Sequence, residues 1–316
     1  MMDDREIVKT FLDMGIQITN EALSIIRSDP EFFVEEVKKL KIKPFFLTKS
    51  IIEDILAKHK KDLDFQIIKE ITLNKRALRV DDYANYFLKK YEKIKDIFIL
   101  SGFSAISINK ITEKMRNFST IGVIREKSSS GMTIEDPTGE IQVFADGIMK
   151  ERLKEFDVDD VVAVYCERVK DGFFVRKILH PDIPLSREVK KTQEEILLKV
   201  DASEENFLSP KKYSNPLYAC IADINILILP ERFYEALGVE IYFEDVVKLL
   251  KKRFLLPKTL DIAITEPDDL VFTDVPDLII TDIQPEMCKN YKGTTIISVD
   301  KKIYEVNLHT REVKEI

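Results

Sequence analysis

Apolar residues recur at helical spacing over the first sixty positions and at strand spacing through the middle of the chain. Ile7, Val8, Phe11, Leu12 and Met14 form one helical face that stops at Gly15, a residue suited to the left-handed position after a helix. Thr19 can cap a second helix carrying Ala22, Leu23, Ile25 and Ile26. Asp29-Pro30 sets a capping side chain ahead of proline at the first helical position, opening a third helix through Phe33, Val34, Val37 and Leu40. Thr48 or Ser50 can start a fourth, with Ile51, Ile52, Ile55 and Leu56. Residues 1–60 are therefore expected to form a small helical module. Residues 61–112 read as a charged, β-leaning connector and then a helix over 81–100, where Tyr83, Phe87, Tyr91 and Ile94 share a stripe suited to docking on the next domain.

The period changes at residues 113–184. Strands are expected over 120–125, 131–135, 141–145, 161–169 and 173–179, with a short helix over 148–156 between the third and fourth. Asp136-Pro137-Thr138-Gly139 is strong turn chemistry: proline presets φ, aspartate caps the turn, and glycine supplies a permissive position. Three strands, a helix and two strands is the element order of an OB-fold barrel. Residues 185–216 read as a charged linker. Residues 217–316 carry a buried-type strand over 217–223, a helix over 243–254, strand-like runs at 260–265, 278–281 and 294–299, and a hairpin of 302–307 with 311–315. The expected fold class is α+β and multidomain, closing with a shortened α/β layer.

Composition narrows the function. The 316 residues are 45% hydrophobic and 33% charged, with a net charge of −7, which excludes a bulk-basic nucleic-acid binder. Residues 217–316 hold 12 basic and 18 acidic side chains, a balance better matched to a protein-contact surface than to a DNA groove. Cys166, Cys220 and Cys288 are far apart, with no CxxC, so neither a disulfide framework nor a zinc site is expected and a reducing cytoplasm is. The charged start Met-Met-Asp-Asp-Arg-Glu does not read as a signal peptide, and no apolar run is long enough to span a membrane. There is no Walker motif, no Gly-x-Gly-x-x-Gly and no Gly-x-Ser-x-Gly elbow.

Several anchors occur in order: Asp82-Tyr83…Tyr86-Phe87…Lys90-Tyr91-Glu92-Lys93, Ile106-Ser107-Ile108, Ile121-Gly122-Val123-Ile124, Ile134 to Ile141 around the Asp-Pro-Thr-Gly turn, His180-Pro181-Asp182-Ile183-Pro184, and Ala219-Cys220-Ile221-Ala222-Asp223. Together they resemble the small subunit of the archaeal family D DNA polymerase, kin to the B-subunits of eukaryotic replicative polymerases. The resemblance covers the whole chain, best over 80–184 and least over 225–260. It implies a helical N-terminal domain, an OB-fold and a calcineurin-like phosphoesterase domain. In the archaeal subunits the last is a two-metal exonuclease, built on Asp-x-His, Gly-Asp-x-x-Asp, Gly-Asn-His and Gly-His-x-His motifs. Here Asp223-Ile224-Asn225 stands at the first of these, Asp282 and Gln284 lie nearest the last, and no Gly-Asp or Gly-Asn dipeptide exists.

The resemblance therefore implies a shortened paralogue with a degenerate phosphoesterase domain: no catalytic residue, no cofactor, and no metal beyond what Asp223 and Asp282 could retain. The implied partner is a polymerase catalytic subunit or another replisome protein. His59, His180 and His309 lie in separate segments and share no ligand spacing. The alternative is a free-standing OB-fold that binds single-stranded nucleic acid, for which the strand 2–3 face and adjoining loops offer Arg125, Lys127, Met132, Phe144, Arg168, Lys170, Phe173 and Arg176. Against that stands the plain alternative of core aromatics with a solvated charged rim. A residual metal-dependent phosphoesterase would rest on fold analogy alone.

Overall fold

In a computed structural model, residues 4–27, 29–40, 43–53, 55, 65–72, 80–170, 172–257 and 270–316 are described. The expected strand over 260–265, His59, Leu56 and most of the connector lie outside them. No described helix is long and apolar enough to cross a membrane. The chain divides into two units, Met1–Phe65 and Gln66–Ile316.

The first unit is held by its caps. Helices α1 (Asp4–Asp13), α2 (Asn20–Ile26), α3 (Pro30–Lys39) and a helical stretch α4 over 49–53 surround Ile7, Phe11, Ile26, Phe33, Val37 and Ile52. The Thr19 hydroxyl accepts from the Ala22 amide at 3.3 Å, and the Asp29 carboxylate from the Phe32 amide at 3.1 Å. Gly15 takes the left-handed conformation at φ 80° where α1 stops. The apolar stripe is narrower than its sequence suggests, because Leu12 is exposed. A two-residue parallel pair, β1 (Gln17–Ile18) with β2 (Phe46–Leu47), was not legible in the pattern and closes the unit under Ile16 and Leu47.

The second unit contains a closed barrel of β4 (Asn117–Ser128), β5 (Gly131–Asp136), β6 (Gly139–Phe144), β7 (Val161–Val169) and β8 (Gly172–Leu179), in the order β4-β5-β6-β8-β7. Helix α6 (Gly147–Arg152) and a 3-10 turn lie between β6 and β7. This order is compatible with an OB-fold. Ile124, Met132, Ile134, Val143, Val162, Val164, Cys166 and Val175 fill the interior. Burial there pushes the Cys166 thiol up to about 12, so it packs as a small hydrophobe.

The Asp136–Gly139 turn is tied down on two sides. One Asp136 oxygen accepts the Thr138 amide at 2.7 Å, and the other accepts the Ile108 amide at 2.9 Å from the 3-10 turn Ile108–Lys110. The Thr138 hydroxyl in turn accepts the Asn109 amide at 3.1 Å. Asp136→Ala leaves the buried Ile108 amide without an acceptor and is expected to cost about 2 kcal/mol in urea unfolding. A change under about 0.5 kcal/mol would show that the turn holds without it.

Helix α5 (Val80–Leu100) explains why β4 is buried on both faces. Tyr91, Ile94 and Phe98 of the helix pack with Ile121, Val123, Val161 and Ala163 from the outside of the barrel, and with Leu229, Phe233 and Leu250 from the sheet beyond. The Tyr91 hydroxyl donates to the Ile121 carbonyl at 3.3 Å. The buried Lys90 ammonium donates to the Asp159 carbonyl at 2.8 Å and sits 4.4 Å from the centroid of the Phe254 ring. Burial lowers Lys90 to about 8, against the opposing charges of Asp160 and Asp159.

The sheet beyond has six strands in the order β13-β14-β12-β11-β10-β3: β3 (Gln66–Glu70), β10 (Leu217–Ile221), β11 (Ile224–Leu229), β12 (Leu278–Thr281), β13 (Cys288–Tyr291) and β14 (Thr294–Ser298). Strands β11, β12 and β14 are parallel, and the rest pair antiparallel. Helices α7 (Glu231–Ala236) and α8 (Phe243–Lys252) follow β11. The segment 185–216, expected as a linker, contains β9 (Leu197–Val200), which pairs with β15 (Tyr304–Asn307) in a three-stranded sheet completed by β16 (Val313–Glu315). Likewise β3, from the expected connector, is an integral strand of the large sheet.

Candidate functional site

The eight barrel residues singled out for ligand contact do not form one surface. Met132 is 3% exposed and belongs to the barrel core. Phe173, partly buried, also packs against that core, edge to face with Phe118 and ring centroids 4.9 Å apart. For these two the expectation of ligand contact is corrected, because strand alternation points both inward. The Lys127 ammonium donates to the carbonyls of Leu153 and Phe156, closing the turn after α6, so its charge serves that helix end. Arg168 lies over the Phe173 ring at 6.0 Å and donates to the Lys170 carbonyl at the tip of the β7–β8 hairpin.

Arg125 and Arg176 share a device that no linear pattern shows. In β4 the pairing steps from Ile124↔Ile134 to Glu126↔Thr133, which leaves Arg125 as the extra residue of a β-bulge. In β8 it steps from Tyr165↔Lys177 to Cys166↔Val175, which leaves Arg176 in the same position. Each bulge re-aims its arginine, and each arginine meets carboxylate. Arg125 pairs with Glu135 and lies 5.7 Å from the Phe87 centroid. Arg176 pairs with Asp146 and Glu167, both at 3.1 Å, and lies 6.0 Å from the Phe174 centroid.

Phe144 and Phe174 are half-buried rings 5.7 Å apart, on the two residues whose parallel bridge closes the barrel. Phe174 was missed in the sequence. Its signal is the Phe173-Phe174 pair itself, since adjacent strand residues face opposite sides and one ring must point out. The outward patch is thus two aromatics and one arginine flanked by two carboxylates.

A cleft of about 600 Å³ opens on the other side of the barrel. Its walls are Phe87, Leu88 and Tyr91 of α5 with Val123 of β4, and the Glu135–Pro137 turn with Arg125 forms the rim. The side chain of Tyr83, expected on the same helical stripe, lies outside the described residues.

Asp223 and Asp282 are not brought together. The expected strand over 217–223 ends two residues earlier: Ala222 and Asp223, at φ 46° and 64°, make a tight turn, and Ile224 begins β11. Asp223 therefore precedes β11, whereas Asp282 follows its parallel neighbour β12. Seven residues of extended chain separate the two levels, on the order of 20 Å at about 3.3 Å per residue. A two-metal site needs ions about 4 Å apart, so these two aspartates cannot share one. The Asp223 carbonyl accepts from Lys190 at 3.2 Å. The Asp282 carboxylate accepts the Glu231 amide at 2.7 Å, capping α7, and its burial raises its pKa. Among the described residues, no group of three or more His, Cys, Asp or Glu is arranged to hold a metal ion.

His309 bonds the Thr192 carbonyl at 2.7 Å through Nδ1, pinning the terminal turn. His180 stacks on Phe156 with centroids 4.1 Å apart, and its Nδ1 has no partner among the described residues. Burial holds the imidazole below its ordinary pKa; Lys252 and Lys251 push the same way, while Asp160 and the Glu155 backbone oppose. Because the folded pKa is depressed, the unfolded chain binds more protons as pH falls below about 6.5. This contribution to stability is present above that pH and is lost as pH falls through the lower folded value. His180→Phe keeps the stacking and is expected to flatten the fall of Tm between about pH 7 and about pH 5. An unchanged slope in circular-dichroism melts would assign the acid sensitivity to other groups.

No protein-family model matches the chain, and neither does any curated protein.

Proposed function

We propose that the chain is a non-catalytic accessory or scaffold subunit of an archaeal DNA polymerase assembly, a shortened paralogue of the family D small subunit. In this reading the closed barrel is an OB-fold, the sheet after it is a trimmed phosphoesterase layer, and the setting is cytoplasmic. The observation that carries it is the charge pairing on the barrel. Arg125 and Arg176 are held by carboxylates, while the cleft between α5 and the Glu135–Pro137 turn is walled mainly by apolar side chains. Neutralised arginines release few counterions from DNA. An apolar cleft with a paired polar rim suits a protein partner. The separation of Asp223 from Asp282 and the acidic balance of residues 217–316 support the same reading.

The partner in this reading is the polymerase catalytic subunit, whose C-terminal zinc-bearing domain docks on the OB and phosphoesterase units in the family the chain resembles. A tagged chain expressed in its own host is expected to co-purify with that subunit, identified by mass spectrometry. Recovery without any polymerase or replisome protein would sink the proposal.

The half-buried Phe144–Phe174 pair beside Arg176 favours a second reading, a free-standing single-strand binder, since surface aromatic rings stack on bases. Fluorescence anisotropy with single-stranded DNA at two salt concentrations separates the two. A steep salt slope that weakens in Phe174→Ala supports the second reading, and no binding at low salt removes it.

A further inference from the structure

The cleft between α5 and the barrel has a shape that selects its occupant. On α5 it is lined by Ala84, Phe87, Leu88 and Tyr91, at positions i, i+3, i+4 and i+7, one stripe over two helical turns. Seven steps of about 1.5 Å make that wall about 10 Å long. Leu88 is 39% exposed, so the stripe still has apolar surface to bury. The opposite wall has no backbone left to pair with. At Val123, β4 is paired with Glu135 of β5 on one edge and with Val161 of β7 on the other, and β5 is paired in turn with β6. An extended segment laid here would strand its own amides and carbonyls against apolar side chains, whereas a helix satisfies them internally.

Charge narrows the occupant further. The described charged side chains that line the cleft are Arg125, Glu135 and Asp136, a net of one negative charge. Arg125 and Glu135 pair at the rim, both nearly half exposed, and the guanidinium lies over the Phe87 ring. The Asp136 carboxylate accepts the Ile108 and Thr138 amides, yet its charge still acts on the cleft floor. Burial raises the Tyr91 phenol to about 12, and Asp136 and Glu92 push it the same way. A basic side chain beside the apolar ones complements this field, and an acidic one is opposed by it.

We infer that the cleft docks a two-turn amphipathic helix of a partner protein, with apolar side chains against Phe87, Leu88 and Val123 and a lysine or arginine beside Glu135. This rests on the reading of the cleft as a protein-contact surface and adds the partner's chemistry. The docking segment carries apolar residues at i, i+3 or i+4, and i+7, flanked by basic rather than acidic ones.

The test is fluorescence anisotropy of the full chain with dye-labelled model peptides of about 18 residues, long enough to form a helix. One is an amphipathic helix of Leu, Ala and Lys; the second has Glu in place of Lys; the third is the first broken by a central proline. The basic helix is expected to bind at least about ten-fold more tightly than either of the others. Leu88→Lys, which sets a like charge in the groove, is expected to weaken it by about ten-fold or more. Ile99→Lys, a comparably exposed change farther along α5 and outside the cleft, is expected to leave it unchanged. Glu135→Gln, at an exposed rim position, is expected to weaken it several-fold. No binding of the basic helix overturns the inference, as does equal binding of the acidic or the proline-broken peptide, or an equal loss in Leu88→Lys and Ile99→Lys. If Leu88→Lys does not fold, Glu135→Gln decides, and unchanged affinity overturns the site. Should the peptides fail while the tagged chain still co-purifies with a polymerase subunit, the groove falls and the accessory reading stands. Selective binding of the basic helix without that co-purification upholds the groove and removes the accessory reading.

Discussion

Arg187→Met is expected to destabilise the second unit by about 3–5 kcal/mol, the usual cost of stranding a buried charge. Asp277 is fully buried, and Arg187 reaches it through one terminal nitrogen that also donates to the Val275 carbonyl at 3.1 Å. The same aspartate joins three strands. Its second oxygen accepts the Asn225 amide at 2.9 Å at the start of β11, its own amide donates to the Asn225 carbonyl at 2.8 Å, and its carbonyl accepts the Thr295 amide at 3.0 Å in β14. Methionine fills the space but leaves the carboxylate without its ion-pair partner. Arg187→Lys is expected to recover only part of the loss, since an ammonium cannot reproduce the arginine fork. The double variant Arg187→Met with Asp277→Asn is expected to lose less than the two single losses added together. Urea unfolding followed by circular dichroism measures all four. Additive losses would mean that the pair does not act as a unit.

Gly122→Ala is expected to cost about 3 kcal/mol or more, at the upper end of overpacking losses. A Cβ at this position would stand 2.4 Å from Ile134 Cγ2 and 2.7 Å from the Glu135 carbonyl oxygen. The Ile134 methyl could shift, but the backbone oxygen belongs to the β4–β5 ladder and cannot move without breaking it. The glycine is there because β5 coils tightly across β4 as the barrel closes, and only a residue without a side chain allows that approach. The loss should appear in the unfolding of the second unit and leave the first unit's transition unchanged. A loss under about 1 kcal/mol would mean that the barrel relaxes at this corner.

What the sequence disclosed was chemistry that acts over a few residues. Thr19, Asp29 and the Asp136–Gly139 turn each bond within three positions of themselves, so their roles could be read directly. The barrel strands and α5 were legible because alternation and helical spacing persist over several turns or pleats. What escaped depends on cross-strand register. The Ala222-Asp223 turn uses left-handed conformations without glycine or asparagine, so the run from Leu217 onward concealed a hairpin. Strand β13 is a polar edge, Cys-Lys-Asn-Tyr, with no apolar alternation to betray it. The bulges at Arg125 and Arg176 exist only in relation to a partner strand. For the candidate site this meant that residue types were foreseen and their grouping was not. The eight barrel residues divide between core, helix end and surface, and the two aspartates lie at opposite ends of the strands that carry them.

Helix α5 carries a consequence for how this chain can change over time. It is a shared wall: the residues that cover the outside of β4 and β7 are the same ones that cover Leu229, Phe233 and Leu250. A gene fragment stopping at residue 184 would encode a barrel with an intact interior but with α5 stripped of half its cover. Such a piece could not be shuffled into another protein, or lost from this one, without a compensating surface. The barrel and the sheet are therefore tied into one folding unit, because each covers a face of the helix that the other leaves bare.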